Sequence, residues 1–191
     1  MDLSQLQQQL FQLPPLSVEH RTPTFCGDLP LRIDIDGQWY YQDSKISRRP
    51  LVKLFASVLL RQEQTYFLQT PVEKVRIQVE DVPFLITQHA WHAGVNGPEL
   101  RLSTNLGDTV VVSAAYPLFI KTFAGQNVPY VALWRGLSAR LHRNVYYHLI
   151  QEADLQETIA ADSEASHPIT HLTCVITSCG QPFILAEEPL V

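Results

Sequence analysis

Two arginines at the start of predicted helices, and one strand in which charged and apolar residues alternate, carry the groups best suited to holding a ligand. Arg48 precedes Pro50 and the apolar positions Leu51, Leu54, Phe55, Val58 and Leu59, while Arg143 precedes Tyr146, Leu149, Ile150 and Ala153. A cation at the positive end of a helix dipole costs roughly 0.3–1 kcal/mol, so its repeated placement there calls for a compensating anion. Two sources are open. A carboxylate of the chain, from Glu73, Glu80 or Asp81, could supply it, or helix-start amides and the arginines together could prepare a site for a phosphate or carboxylate ligand.

The strand runs through Lys74-Val75-Arg76-Ile77-Gln78-Val79-Glu80. Alternate side chains on a strand lie on one face roughly 6.5–7 Å apart, so Lys74, Arg76, Gln78 and Glu80 form a polar row opposite Val75, Ile77 and Val79. The row suits a polar cleft or an ordinary solvated sheet face. Paired acids for acid–base catalysis would need to cooperate, and the adjacent Glu80 and Asp81 point to opposite faces. No catalytic residue is therefore assigned. The enzyme alternative is a hydrolase using Glu73 or Glu80 as base.

Metal signals are weak by geometry. In His167-x3-His171-x2-Cys174-x4-Cys179, His171 and Cys174 lie in a predicted strand with opposite orientations, unlike the tight turns of zinc knuckles. His89-Ala90-Trp91-His92 fails for the same reason. Asp34 and Asp36 suggest the start of a calcium loop, but position twelve is Lys45 instead of a bidentate Glu. No metal and no cofactor is expected. The glycine-rich phosphate loop, the nucleophile elbow and the His-Glu-x-x-His helix are all missing from the sequence.

Composition narrows the classes. With 191 residues, 46% of them hydrophobic, the chain can bury a core without disulfides. The three cysteines have no framework spacing, and the opening Met-Asp-Leu-Ser-Gln has no secretion-signal pattern, so a reducing cytoplasm is expected. No apolar run reaches the ~20 residues of a membrane span. The net charge is −5, and residues 96–191 hold five Lys/Arg against nine Asp/Glu. A duplex nucleic-acid partner is excluded by that balance, whereas a small anionic ligand held by local cations is not.

The elements that would position these groups follow from periodicity. Leu3, Leu6, Leu10 and Leu13 predict a short amphipathic helix ended by Pro14-Pro15. Residues 16–30 read as irregular. Residues 31–35 and 38–41 predict a hairpin closed by a type I′ turn at Asp36-Gly37. A helix capped by Ser47 follows, then a hairpin of 66–69 with 72–80, making a β-β-α-β-β unit. From Phe84 onward, short strands at 84–91, 99–104, 108–113, 117–122, 129–134 and 137–141 predict an antiparallel meander. A helix of about fifteen residues from Arg143, a polar loop at 156–168 and a final hairpin around Gly180 complete the chain.

An internal match joins the two halves. Trp39-x6-Ile46-x-Arg48-x2-Leu51-Val52-x-Leu54 matches Trp134-x6-Leu141-x-Arg143-x2-Tyr146-Tyr147-x-Leu149, and Lys45 matches Arg140, at an offset of 95 residues (134 less 39). Duplication is the expected cause. The fold expectation is α+β with two tandem similar lobes, residues 1–83 and 84–191.

Several runs resemble the domain of unknown function 1285 family. They are Thr70-Pro71-Val72-Glu73-Lys74-Val75, Val79-Glu80-Asp81-x-Pro83-Phe84, Thr104-Asn105-x-Gly107-Asp108 and Arg135-Gly136-Leu137-x-Ala139-Arg140-Leu141-x-Arg143 with Tyr146-Tyr147. The resemblance covers about residues 25–185. It implies that the second lobe is similar to a pleckstrin-homology-like barrel capped by a helix, with a ligand site at the lobe interface for a nucleotide-like molecule in bacterial signalling. On that basis a non-catalytic binding or regulatory protein is expected. Its small anionic ligand would be held by Arg48, Glu73, Lys74, Arg76, Glu80, Arg135, Arg140, Arg143 and Tyr147. A scaffold that binds partner protein through its barrel edges is the third reading.

Overall fold

Leu29, Leu31 and Ile33 are buried on one face of β1 (Thr24–Ile33), a ten-residue strand that occupies much of the stretch expected to be irregular. The computed structural model describes residues 23–160 and 169–189. The expected Leu3–Leu13 helix lies outside them. Gly27 and Pro30 are the reason 24–30 does not read as a strand: each falls at a register shift in the pairing of β1 with β6 (Glu73–Val79), between Phe25 and Asp28 and between Asp28 and Arg32. Gly27 takes the left-handed conformation (φ 89°) that a bulge accepts from glycine, and Pro30 sits where the ladder skips.

The described residues divide into two units. The first contains residues up to Pro83 together with Trp134–Leu137, and the second contains Phe84–Leu133 and the residues from Ser138 onward.

In the first unit the remaining strands are β2 (Trp39–Tyr41), β3 (Ser44–Lys45), β4 (Leu59–Gln62) and β5 (Thr65–Gln69), and the helix α1 (Arg49–Ser57) lies between β3 and β4. They form one six-stranded sheet in the order β3-β2-β1-β6-β5-β4, antiparallel except for the parallel central pair β1 and β6. The hairpin of β1 and β2 pairs Leu31 with Tyr41 and Ile33 with Trp39. Its turn is wider than the expected type I′. Asp34 Oδ1 accepts from the amides of Asp36 and Gln38 at 2.9 and 2.8 Å, and Gly37 carries the positive φ of 70°. That carboxylate is satisfied by its own loop, as in an Asx turn.

Helix α1 begins one residue later than expected, with Arg48 rather than Ser47 at the cap, and Pro50 in the first turn where its missing N–H is harmless. Val52, Phe55 and Ala56 are its buried residues, and Phe55 stacks on the fully buried Trp39 at 6.3 Å between centroids. Of the predicted stripe Phe55, Val58 and Leu59 are buried, the last two just past the end of the helix, whereas Leu51 and Leu54 are only half-buried.

The second unit repeats this strand order. β7 (Phe84–Gly94), β8 (Gly97–Thr104), β9 (Thr109–Val111), β10 (Leu118–Phe123), β11 (Gln126–Ala132) and β12 (Ser138–Leu141) form a sheet in the order β10-β11-β12-β7-β8-β9. The first and last strands, β7 and β12, again pair in parallel at the centre, with Phe84 opposite Ala139 and Ile86 opposite Leu141. The expected meander is therefore two antiparallel three-strand runs joined side by side. The sequence match at offset 95 does not follow this repeat, because Trp39 opens β2 whereas Trp134 opens the 3-10 turn Trp134–Gly136 ahead of β12. In strand order, the counterpart of β12 is β6.

Helix α2 (Arg143–Glu152) has ten residues rather than about fifteen; Leu149 of the expected face is buried, together with Val145, whereas Tyr146, Ile150 and Ala153 are only half-buried. The expected loop from 156 begins instead as β13 (Asp154–Ala160), which pairs with β14 (Ile169–Ser178) and through it with β15 (Gln181–Pro189). Ser178 ties this three-stranded sheet to the six-stranded one. Its buried Oγ donates to Val112 O at 2.7 Å and accepts from Leu100 N at 2.9 Å.

Candidate functional site

The polar row of β6 is largely occupied by its own sheet. Arg76 forms a two-point pair with Asp28 on β1, Nε to Oδ1 at 2.6 Å and Nη2 to Oδ2 at 2.7 Å. Glu80 accepts from Arg32 Nη1 at 2.5 Å and from the amide of Ile35 at 3.1 Å. Lys74 donates to Gln62 and lies 3.9 Å from the centre of the Phe67 ring. Parallel pairing of β1 with β6 creates the arginine pairs, because it sets Asp28 opposite Arg76 and Arg32 opposite Gln78, while the Lys74 contacts lie on the β5 side of the sheet. Glu73 differs: its Oε2 is buried without a hydrogen-bond partner, beside a turn in which the Thr70 hydroxyl accepts from the Glu73 amide at 3.0 Å.

The helix starts are less neutralised. Arg48 is exposed and belongs to none of the ion pairs among the described residues, and neither helix carries an acid in its first turn. At α2 the cap is His142, whose Nδ1 accepts from the Asn144 amide at 3.3 Å. Arg143 directs Nε and Nη2 at the Tyr147 hydroxyl, 3.1 and 3.0 Å away, one helical turn on. Arg140 lies 5.5 Å from the Phe123 ring centre. Arg135, in the left-handed conformation (φ 54°), donates to the Ser57 carbonyl. Of the nine residues expected at a site, Arg48, Glu73, Lys74, Arg76, Glu80 and Arg135 thus belong to the first unit, and Arg140, Arg143 and Tyr147 to the second.

A second cluster escaped the sequence reading. In the second unit Trp91 Nε1 donates to Glu152 Oε2 at 2.7 Å, and His89 Nε2 lies 3.4 Å from Glu152 Oε1. Burial, the largest single influence, acts to raise the Glu152 carboxyl, but the hydrogen bonds from Trp91 and His89 together with Coulomb attraction from His89 and His148 bring it below its ordinary value. His89 and Trp91 share a face because they are two apart on β7. No local spacing relates them to an acid at the end of α2, which is why the group was not legible. Among the described residues no three His, Cys, Asp or Glu gather as a metal site. The zinc reading depended on His167, outside the described residues.

Two six-stranded sheets of one strand order, each with its own helix, define an α+β protein of two units. The chain belongs to the DUF1285 family: the model of its N-terminal domain, described as a domain of unknown function, matches residues 14–82, and that of its C-terminal domain, described as a protein of unknown function, matches residues 83–184. A crystal structure of a DUF1285 family protein from Silicibacter pomeroyi is similar over 94% of this chain and 93% of its own, with 29% identity and a TM-score of 0.77. One from Shewanella baltica is similar over 66% of this chain and 94% of its own, with 34% identity and a TM-score of 0.54. No curated protein matches. Among the described residues, no helix is long and apolar enough to cross a membrane.

Proposed function

We propose that the protein is a non-catalytic binding or regulatory module for a small anionic ligand, nucleotide-like or phosphorylated, with Arg143 and Tyr147 at the start of α2 as its central contacts. The observation that carries this reading is the Arg143 guanidinium, which turns two donors to a phenolic hydroxyl and takes part in no ion pair among the described residues. A guanidinium presents five donors in a planar fork suited to phosphate, and the helix-start amides add to its field. Arg48 at the bare start of α1 is the corresponding group in the first unit. In this reading the second unit acts as a pleckstrin-homology-like module, a mainly antiparallel sheet followed directly by one helix, in a cytoplasmic bacterial signalling role.

The test is thermal stabilisation by a panel of nucleotides and phosphorylated metabolites. A ligand present at 100 times its Kd stabilises by about 2.7 kcal/mol, a readily measured rise in Tm. Stabilisation by one class, lost in Arg143→Ala and Tyr147→Phe, is expected. No shift at millimolar ligand overturns the proposal.

A further inference from the structure

A cavity of about 340 Å³ lies in the second unit, lined by Trp91, Pro98, Glu152, Asp154, Val175 and Ile176 among others. This volume is at the lower end of the range for small-molecule sites, roughly 300–1,000 Å³. Its surfaces differ in character. Val175 and Ile176 are buried core residues of β14 with little area open to the cavity, while Trp91, 38% exposed, and Pro98, also exposed, are the apolar lining residues accessible to an incoming molecule. The charges in the lining are both negative, and no Lys or Arg belongs to it.

Glu152 is held in place and ionised. Trp91 and His89 approach one carboxylate oxygen each, and each oxygen keeps a further lone pair for another donor. The neighbouring titratable groups are His89, the His148 ring 6.1 Å from it, and Asp154 at the start of β13. Two carboxylates with no cation among the lining residues attract a cation by Coulomb attraction and repel an anion. The exposed Trp91 and Pro98 favour an alkyl chain over a bare metal ion, for which the lining offers only two carboxylate side chains.

We infer that this cavity binds a small organic cation, an alkylammonium or alkylguanidinium, whose charged head meets Glu152 and Asp154 and whose alkyl body lies against Trp91 and Pro98. The site is separate from the Arg143–Tyr147 contact and takes the opposite charge, so either can fail without the other.

Titration of the ¹⁵N-labelled full chain with butylguanidinium tests it, followed at the indole N–H signal of Trp91, which Trp91→Phe identifies by its loss. The expected result is a saturable shift of that signal while those of Trp39 and Trp134 stay in place. Affinity falls at least tenfold in Glu152→Gln and falls also in Asp154→Asn. Butanol and butyrate, with the same chain but no positive charge, give no comparable shift. The inference is overturned by an absent shift at millimolar butylguanidinium, by an equal response to butanol, or by unchanged affinity in both acid variants. If Glu152→Gln disturbs the signal of the buried Trp39, Asp154→Asn and the butanol comparison still decide.

Discussion

Arg76 and Asp28 face each other across the parallel pair at the centre of the first sheet, joined by two hydrogen bonds of 2.6 and 2.7 Å. The hydrogen bond from Arg76 is the main reason that the Asp28 carboxyl sits below its ordinary value of 3.8. A carboxyl depressed in the folded state contributes stability that is complete above its unfolded pKa and is lost as the pH falls through the folded value. Asp28→Asn is therefore expected to lower the Tm at pH 7, and the gap to the parent chain should close as the pH falls below about 4. Denaturation series at both pH values, repeated in high salt, check this; the pair is exposed, so salt should shrink the gap.

Ser178 predicts a larger and pH-independent effect. Its hydroxyl bridges Leu100 N and Val112 O where all three are shielded from water. Ser178→Ala leaves a buried donor and a buried acceptor without partners, at a cost of about 1–3 kcal/mol. Urea denaturation should show the loss, with faster amide exchange at Leu100 than elsewhere in β8.

Two loops share one hydrogen-bond scheme. Thr104 Oγ1 accepts from the amides of Leu106 and Asp108 at 3.3 and 3.1 Å, as Asp34 Oδ1 does for Asp36 and Gln38, and Gly107 carries a φ of 97° where Gly37 carries 70°. Thr104 is buried and Asp34 only half so. Thr104→Val should then cost about 1–3 kcal/mol and Asp34→Ala less, since water replaces the lost acceptor in the second case. Thr104→Ser, which keeps the oxygen, should recover most of the loss.

Gly136 separates backbone conformation from crowding. It has a φ of 70°, and an added Cβ would lie 2.8 Å from the Arg61 carbonyl oxygen, whereas at Gly125 (φ 77°) nothing lies within 4 Å. Gly125→Ala is expected to cost about 1 kcal/mol through conformation alone, and Gly136→Ala distinctly more. Equal losses in chemical denaturation would show that the Arg61 strand yields freely.

Short-range signals were legible in the sequence, and long-range ones were not. The alternation of Val75 and Ile77 with Lys74, Arg76 and Gln78 correctly marked β6, and Pro50 correctly marked the first turn of α1. Pro30 and Gly27 hid β1, because a strand that skips register looks like a loop when read by period alone. The central parallel pairs carry no local signature, so neither β1 with β6 nor β7 with β12 was foreseen. The same gap explains the charges: Arg76 and Glu80 were recognised as a row, but their partners Asp28 and Arg32 lie 48 residues away in each case. Trp91 and Glu152, 61 residues apart, were missed for that reason too.

Closing each six-stranded sheet through its first and last strands also bears on how the chain folds. Each antiparallel three-strand run has short turns and can form early, whereas the parallel seam joins segments such as Asp28 and Arg76 only after about 50 residues of chain have been brought round. Contacts of that sequence separation slow folding. The seams should be the last part of each sheet to form, leaving transiently open edges at β1, β6, β7 and β12 that later lie in the sheet interior. Substitutions at the seam would then speed unfolding more than they slow folding, and those in the outer hairpins would do the reverse.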